Sequence, residues 1–178
     1  MIKVCLADNH PVTHFGVKSY FKDHDQISIV ANVGNFSMVR DILQTKEIDI
    51  LILDLELEGL SSIFEVKSIL KNFPKTKIVI FSDLAEQMYA PNAIKAGVSG
   101  YVHKTEKLET LGLSIIKVHE GKIIINETVR KNMALIAKQS KSERLYRKLS
   151  NREIEVLRYL SDGKKNNEIS KILNLNEK

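Results

Sequence analysis

Five side chains able to do chemistry stand at the ends of short apolar runs that lie far apart in the chain. Asp8 and Asn9 follow the run 2–7, Asp54 closes 49–54, Ser82 closes 77–82 and Lys104 closes 99–104. Two carboxylates and an amide offer oxygens to a hard cation, while a hydroxyl and an ammonium offer donors to an anion. Such a set acts only if the fold gathers it. An open parallel sheet does so, because function collects in the crevice beyond the carboxyl ends of its strands.

The positioning elements are legible as a pattern. Residues 1–121 alternate β-branched apolar runs with amphipathic stretches, as strands joined by crossover helices do. Strands are predicted at 2–7, 27–33, 49–54, 77–82 and 99–104, each apolar enough to be buried on both faces. Helices are predicted at 11–22, 36–44, 62–72, 86–96 and 108–120. Pro11 suits a first helical turn, where its missing N–H would have no partner, and Gly97 follows Ala96 where a left-handed helix end is expected.

Beyond Gly121 the strand signal fades. Asn126 caps an amphipathic helix predicted over 126–138, and the polar, basic stretch 139–148 reads as a linker. Ser150 and Glu153 form a capping box ahead of a helix that ends near Asp162-Gly163, and a second helix is predicted over 167–173. Two short helices joined this way make a helix-turn-helix unit, with Ile154, Leu157, Leu160, Ile169, Ile172 and Leu173 as its small core.

Composition sets limits. With 178 residues, 43% hydrophobic, the chain can bury one full core and part of a second. It shows neither a signal-peptide pattern nor an apolar run of membrane-spanning length, so a soluble, cytoplasmic protein without a membrane role is expected. Cys5, the single cysteine, lies in the first apolar run and reads as a buried strand residue. The net charge of +5 divides into −2 over residues 1–121 and +7 over 122–178. A basic C-terminal third suits phosphate, although a solvated face explains such charge about as well.

Taken together, Leu6-Ala7-Asp8-Asn9-His10-Pro11, Asp49-Ile50-Leu51-Ile52-Leu53-Asp54, Phe81-Ser82 and Ala96-Gly97-Val98-Ser99-Gly100-Tyr101-Val102-His103-Lys104 resemble the receiver domain of NarL/FixJ-type response regulators. The resemblance implies an α/β fold, a five-stranded parallel doubly wound (flavodoxin-like) receiver over 1–121. It implies that Asp54 accepts a phosphoryl group from a sensor histidine kinase. Asp8, Asn9, Asp54 and the backbone carbonyl of Glu56 would hold Mg²⁺, Ser82 would bond the phosphoryl oxygens, Lys104 would pair with their charge, and Tyr101 would be an aromatic switch. The chemistry is coherent: a carboxylate approaching phosphorus sets negative against negative charge, so a cation and donors must offset it.

Lys148 to Leu157 and Asn167 to Leu173 resemble a LuxR-type helix-turn-helix, which implies residues 122–148 as helix and linker and 149–178 as a partial all-α DNA-binding domain. Lys164, Lys165 and Lys171 are its candidate DNA phosphate contacts. The chain stops where the recognition helix should begin, with Asn176 reading as its cap, so a longer protein is expected. Alone, the two preceding helices should pack loosely or borrow a neighbour's surface. A non-enzymatic homodimeric transcription regulator with promoter DNA as partner is the implied function.

One departure bears on the chemistry: Asn9 stands where the family has a second aspartate, removing a negative charge from the cation site. Glu56 or Glu58 could lend a carboxylate, although both read more simply as solvated loop acids. A pseudo-receiver with weak or no phosphorylation is therefore the alternative function. A haloacid-dehalogenase-type phosphohydrolase, with Asp54 as nucleophile, is the third; it would need an early strand and a second aspartate two residues on, and neither is present. His10 and His14, four residues apart, could form a metal pair on one helix face, but with no third soft ligand a capping or structural role is preferred.

Overall fold

The structure, a computed structural model, describes residues 1–60, 63–138 and 150–173. Five parallel strands, β1 (Ile2–Ala7), β2 (Ile27–Val33), β3 (Ile50–Leu53), β4 (Lys77–Ser82) and β5 (Gly100–His103), form one sheet in the order β2-β1-β3-β4-β5. The helices α1 (Pro11–Tyr20), α2 (Phe36–Thr45), α3 (Ile63–Asn72), α4 (Glu86–Ala96) and α5 (Leu108–His119) connect and follow them.

Alternation along the strands explains the two layers. Cys5, Ala7, Leu51, Leu53, Ile78, Ile80 and Tyr101 face one side, packing with Val39 of α2, Ile69 of α3 and Ala93 of α4. Val4, Leu6, Ile50, Ile52, Val79, Phe81 and Val102 face the other, against Val17 of α1 and Leu111 and Ile115 of α5. Because side chains alternate with period two, a uniformly apolar strand must be covered on both faces, and here it is. Burial of Cys5 pushes its thiol up to about 12.

The element ends differ from expectation by one or two residues. Asp49 and Asp54 fall outside β3, although the Asp54 N–H still donates to the Ala7 carbonyl at 2.9 Å. Helix α1 stops at Tyr20: the Phe21 N–H still makes a helical bond to the Val17 carbonyl at 3.1 Å, but Phe21 leaves helical geometry with ψ 6°, and the Lys22 N–H reaches only the Ser19 carbonyl at 3.4 Å, a tighter turn. At the end of α4, Gly97 has φ 108°, the left-handed conformation expected there, which admits a side chain only with strain.

Past Gly121 the sheet continues further than the apolar pattern indicates. Ile124 pairs with the edge of β5, accepting from the Tyr101 N–H at 2.8 Å and donating to the Ser99 carbonyl at 2.9 Å, so the edge is partly covered. Helix α6 (Glu127–Lys138) follows with the expected cap: Asn126 Oδ1 accepts from the Thr128 N–H at 2.8 Å. Its entry is tied to α4, where the buried Glu86 carboxylate accepts from the Asn126 N–H at 2.6 Å.

Two helices, α7 (Asn151–Ser161) and α8 (Asn166–Ile172), make the C-terminal segment, and the Ser150–Glu153 capping box is present at the start of α7. Ile154, Ile169 and Leu173 are buried, but Leu157, Leu160 and Ile172 are 47, 44 and 48% exposed, so the expected six-residue core is half formed. Its other half comes from the first domain: Ile154 joins the cluster that contains the α4 residues Tyr89 and Ala90. These helices thus borrow a neighbour's surface. The linker 139–148 and Asn176, read as the cap of a further helix, lie outside the described residues.

Candidate functional site

The order of the strands creates the site. Strand β1 lies between β2 and β3, so the loops after β1 and β3 leave toward opposite faces and open a crevice between their carboxyl ends. Asp8 hangs on one end and Asp54 on the other, each 1% exposed. Lys104, just past β5, reaches between them, its Nζ 2.6 Å from Asp54 Oδ2 and 2.8 Å from Asp8 Oδ2. Residues fifty positions apart in sequence therefore meet in one ion-paired group.

Backbone donors complete the holding of both acids. The Glu56 N–H donates to Asp54 Oδ1 at 3.1 Å, and the His10 N–H donates to Asp8 Oδ1 at 2.7 Å. Burial pushes the Asp8 carboxyl up, but the Lys104 ammonium and the His10 N–H outweigh it and hold the group below its usual range. Burial likewise works against the Lys104 charge, yet Asp54 and Asp8 hold its ammonium above the ordinary lysine value. A single ammonium faces two buried carboxylates, leaving negative charge in excess. Asp8 Oδ2 makes no hydrogen bond of acceptable angle even with Lys104 beside it. This donor set fits a divalent cation.

Ser82 is buried at the end of β4, where its backbone carbonyl accepts from the Lys104 N–H at 3.0 Å and its Oγ accepts from the Leu84 N–H at 3.4 Å. Tyr101 lies within β5, in the buried layer of the sheet. It is 2% exposed, and its hydroxyl donates to the Leu84 carbonyl at 2.8 Å. Burial and the carboxylate of Glu86 keep that phenol protonated by pushing it well up. Leu84 thus carries both the serine and the tyrosine contact.

Asn9 is exposed and lines a surface hollow with Asp8, His14 and Phe15. Neither nearby glutamate supplies the charge that an aspartate there would have given. Glu56 turns outward to Arg158 of α7, Oε1 to Nη1 3.1 Å, and Glu58 lines a separate cleft with Asn35 and Arg40. The histidines divide as well. His14 Nε2 donates to the Asp8 carbonyl, a structural bond that takes it out of any metal pair. His10 stands at the start of α1 but makes no capping bond, and its ring Nδ1 lies 2.9 Å from Asp8 Oδ1 and 3.7 Å from Asp54 Oδ2.

Sequence reasoning missed this turn of His10 and the ion pair of Arg158. A faint signal existed for the first, since a residue two positions after an aspartate often bonds back to it. For the second there was none, because 102 residues separate the partners.

The site and fold define a class: a receiver domain followed by a helical DNA-binding segment. The family described as response regulator receiver domain matches residues 4–116, and the bacterial regulatory proteins of the luxR family match 147–178. This chain belongs to the two-component response regulators that control transcription. It is 30% identical to the Fimbriae Z protein of Salmonella typhimurium over 98% of its own length and 83% of that protein's. It is 26% identical to the response regulator UvrY of Escherichia coli, covering all of this chain and 82% of the other. Its fold is similar to that of RcsB from Salmonella enterica serovar Typhimurium bound to promoter DNA, with TM-score 0.71, 23% identity and coverage of 98% and 84%.

Proposed function

We propose that Asp54 is the phosphoacceptor of this regulator. The observation that carries the proposal is its carboxylate, 1% exposed at the end of β3 and ion-paired to Lys104 beside a second buried acid. A sensor histidine kinase is the donor, and Asp54 attacks phosphorus while the donor's imidazole leaves. The Glu56 N–H orients the carboxylate through Oδ1. Lys104 shifts its ammonium from the carboxylates toward the incoming phosphoryl oxygens, and the Ser82 hydroxyl donates to another. Asp8, Asp54, the Asn9 amide oxygen and the Glu56 carbonyl would hold Mg²⁺, which offsets the charge of the phosphoryl oxygens when bound.

The output begins at Leu84. When Ser82 turns to the phosphoryl group it releases the Leu84 N–H, and Leu84 also holds the Tyr101 hydroxyl, so the switch pair moves through one residue. We assign residues 1–121 to the receiver, 122–148 to helix and linker, and 149–178 to part of the LuxR-type domain. Promoter DNA is the second partner and a homodimer the working form, in keeping with what is known of RcsB, solved as two dimers bound to two DNAs. Lys164, half-buried, and Lys165 and Lys171, both exposed, are the phosphate contacts of the C-terminal segment. The described residues hold no helix long and apolar enough to cross a membrane, and a cytoplasmic location is part of the promoter-binding reading proposed here.

Intact-mass measurement after incubation with Mg²⁺ and a small phosphodonor tests the proposal. One phosphoryl adduct is expected on the parent and none on Asp54→Ala. Absence of any adduct on the parent under forcing conditions would instead favour the pseudo-receiver reading, for which Asn9 is the motivating residue.

A further inference from the structure

We infer that His10 is a metal ligand, and that the pocket of Asp8, His10 and Asp54 is a mixed nitrogen and oxygen site that favours a first-row transition ion such as Mn²⁺ over Mg²⁺. The inference rests on the receiver reading and specifies the cation of that same pocket.

Three observations carry it. One donor atom from each of Asp8, His10 and Asp54 lies within 4.8 Å of the other two, and among the described residues they form a group able to hold an ion. Ligand atoms sharing an ion at bonds of about 2.0–2.2 Å sit roughly 3–3.5 Å apart. The His10 Nδ1 separations of 2.9 and 3.7 Å from the two carboxylates bracket that spacing. Secondly, the buried Asp8 Oδ2 lies 2.8 Å from the Lys104 ammonium but accepts no well-directed hydrogen bond. Thirdly, the histidine ring already points into the pocket, its Nδ1 2.9 Å from Asp8 Oδ1 and 3.3 Å from the Lys104 ammonium, the cation that now sits against all three donors. The ring does not cap α1, and its opposite edge is open to water, the side chain being 54% exposed.

The chemistry follows from the missing aspartate. A site with one carboxylate fewer binds a hard, strongly hydrated ion less well, whereas an imidazole adds affinity for Mn²⁺, Co²⁺ or Zn²⁺ and little for Mg²⁺. Metal entry replaces the proton that Nδ1 shares with Asp8 Oδ1. The imidazole then carries its proton on the solvent-facing Nε2, and the Lys104 ammonium, which lies 3.3 Å from Nδ1 and pairs with both carboxylates, moves aside toward the position of the phosphoryl oxygens.

Pulsed EPR of the full chain loaded with Mn²⁺ alone tests this directly, because a coordinated imidazole imposes a nitrogen coupling on the manganese signal. The coupling is expected in the parent and in His14→Ala, and lost in His10→Ala and His10→Gln. Calorimetric titration with each ion should show Mn²⁺ affinity falling on the order of tenfold in the His10 variants while Mg²⁺ affinity changes less than twofold. A parent without nitrogen coupling, or a coupling that survives His10→Gln, overturns the inference. Phosphorylation of the same variants in Mg²⁺, read by mass, reports separately on the receiver reading and would stand whether or not His10 binds metal.

Discussion

The two ends of the molecule are stabilised in different ways. In the receiver, β3 is covered on both faces, its four residues Ile50, Leu51, Ile52 and Leu53 all fully buried, and its end fixes Asp54 against side chains from two other loops. At the C-terminus, α7 and α8 bury Ile154, Ile169 and Leu173 but leave as many large apolar side chains partly exposed. There the structure depends on a local cap and on what the receiver offers. The comparison teaches that a pocket needing atoms placed to fractions of an ångström sits where contacts are dense and distant in sequence. The DNA-binding segment, held by few contacts, is the part that can be released.

This contrast can be broken from the receiver side first. Leu51→Ala should cost about 2–5 kcal/mol in urea unfolding, since the cavity opens in a strand that cannot collapse around it. An effect below about 1 kcal/mol would mean that the sheet core is less tightly packed than its burial indicates.

The next largest effect is on pH dependence. Asp8 is depressed below its ordinary value of 3.8, so its contribution is present above that value and is lost as pH falls through the lower folded-state pKa. Lys104 is raised above 10.5, so its contribution is complete below 10.5 and is lost as pH rises through the higher folded-state pKa. Unfolding measured across pH should therefore show a plateau between these flanks. In Lys104→Met the alkaline loss assigned to this group should vanish, and the acid flank should move upward as Asp8 loses its partner.

Smaller effects sharpen the C-terminal half. Ser150→Ala removes the capping hydroxyl from α7 and should cost about 1 kcal/mol locally. Hydrogen exchange should speed at Glu153 and Ile154 while β3 amides stay unchanged. Protection lost equally in both regions would show that they unfold as one unit. The smallest effect is expected at Arg158–Glu56, a pair with both side chains 41% exposed. A double-mutant cycle with Arg158→Ala and Glu56→Gln should return about 0.5 kcal/mol and weaken with salt. A coupling several times larger would make this pair a main fastening of α7.

Much of the receiver was legible beforehand because its signals are local or periodic. Uniform apolar runs announced strands covered on both faces, Gly97 announced its left-handed helix end, and Asp8, Asp54, Ser82 and Lys104 each closed a run at the edge where parallel sheets place function. Ser150 and Glu153 declared the start of α7 for the same reason, since a capping box is complete within four residues. Ile124 escaped notice because one residue pairing on a sheet edge leaves no period to detect.

The sequence by itself determined which segments become strands and helices, where α7 is capped, and which polar groups stand at strand ends. Those outcomes depend on propensity, alternation and neighbours along the chain. Only the tertiary structure decided that His10 faces the acids while His14 bonds a carbonyl, that Glu56 turns to Arg158, and that Ile154 packs into the receiver. Each of these depends on which surfaces meet in space, and helical or strand periodicity carries no information about a partner a hundred residues away.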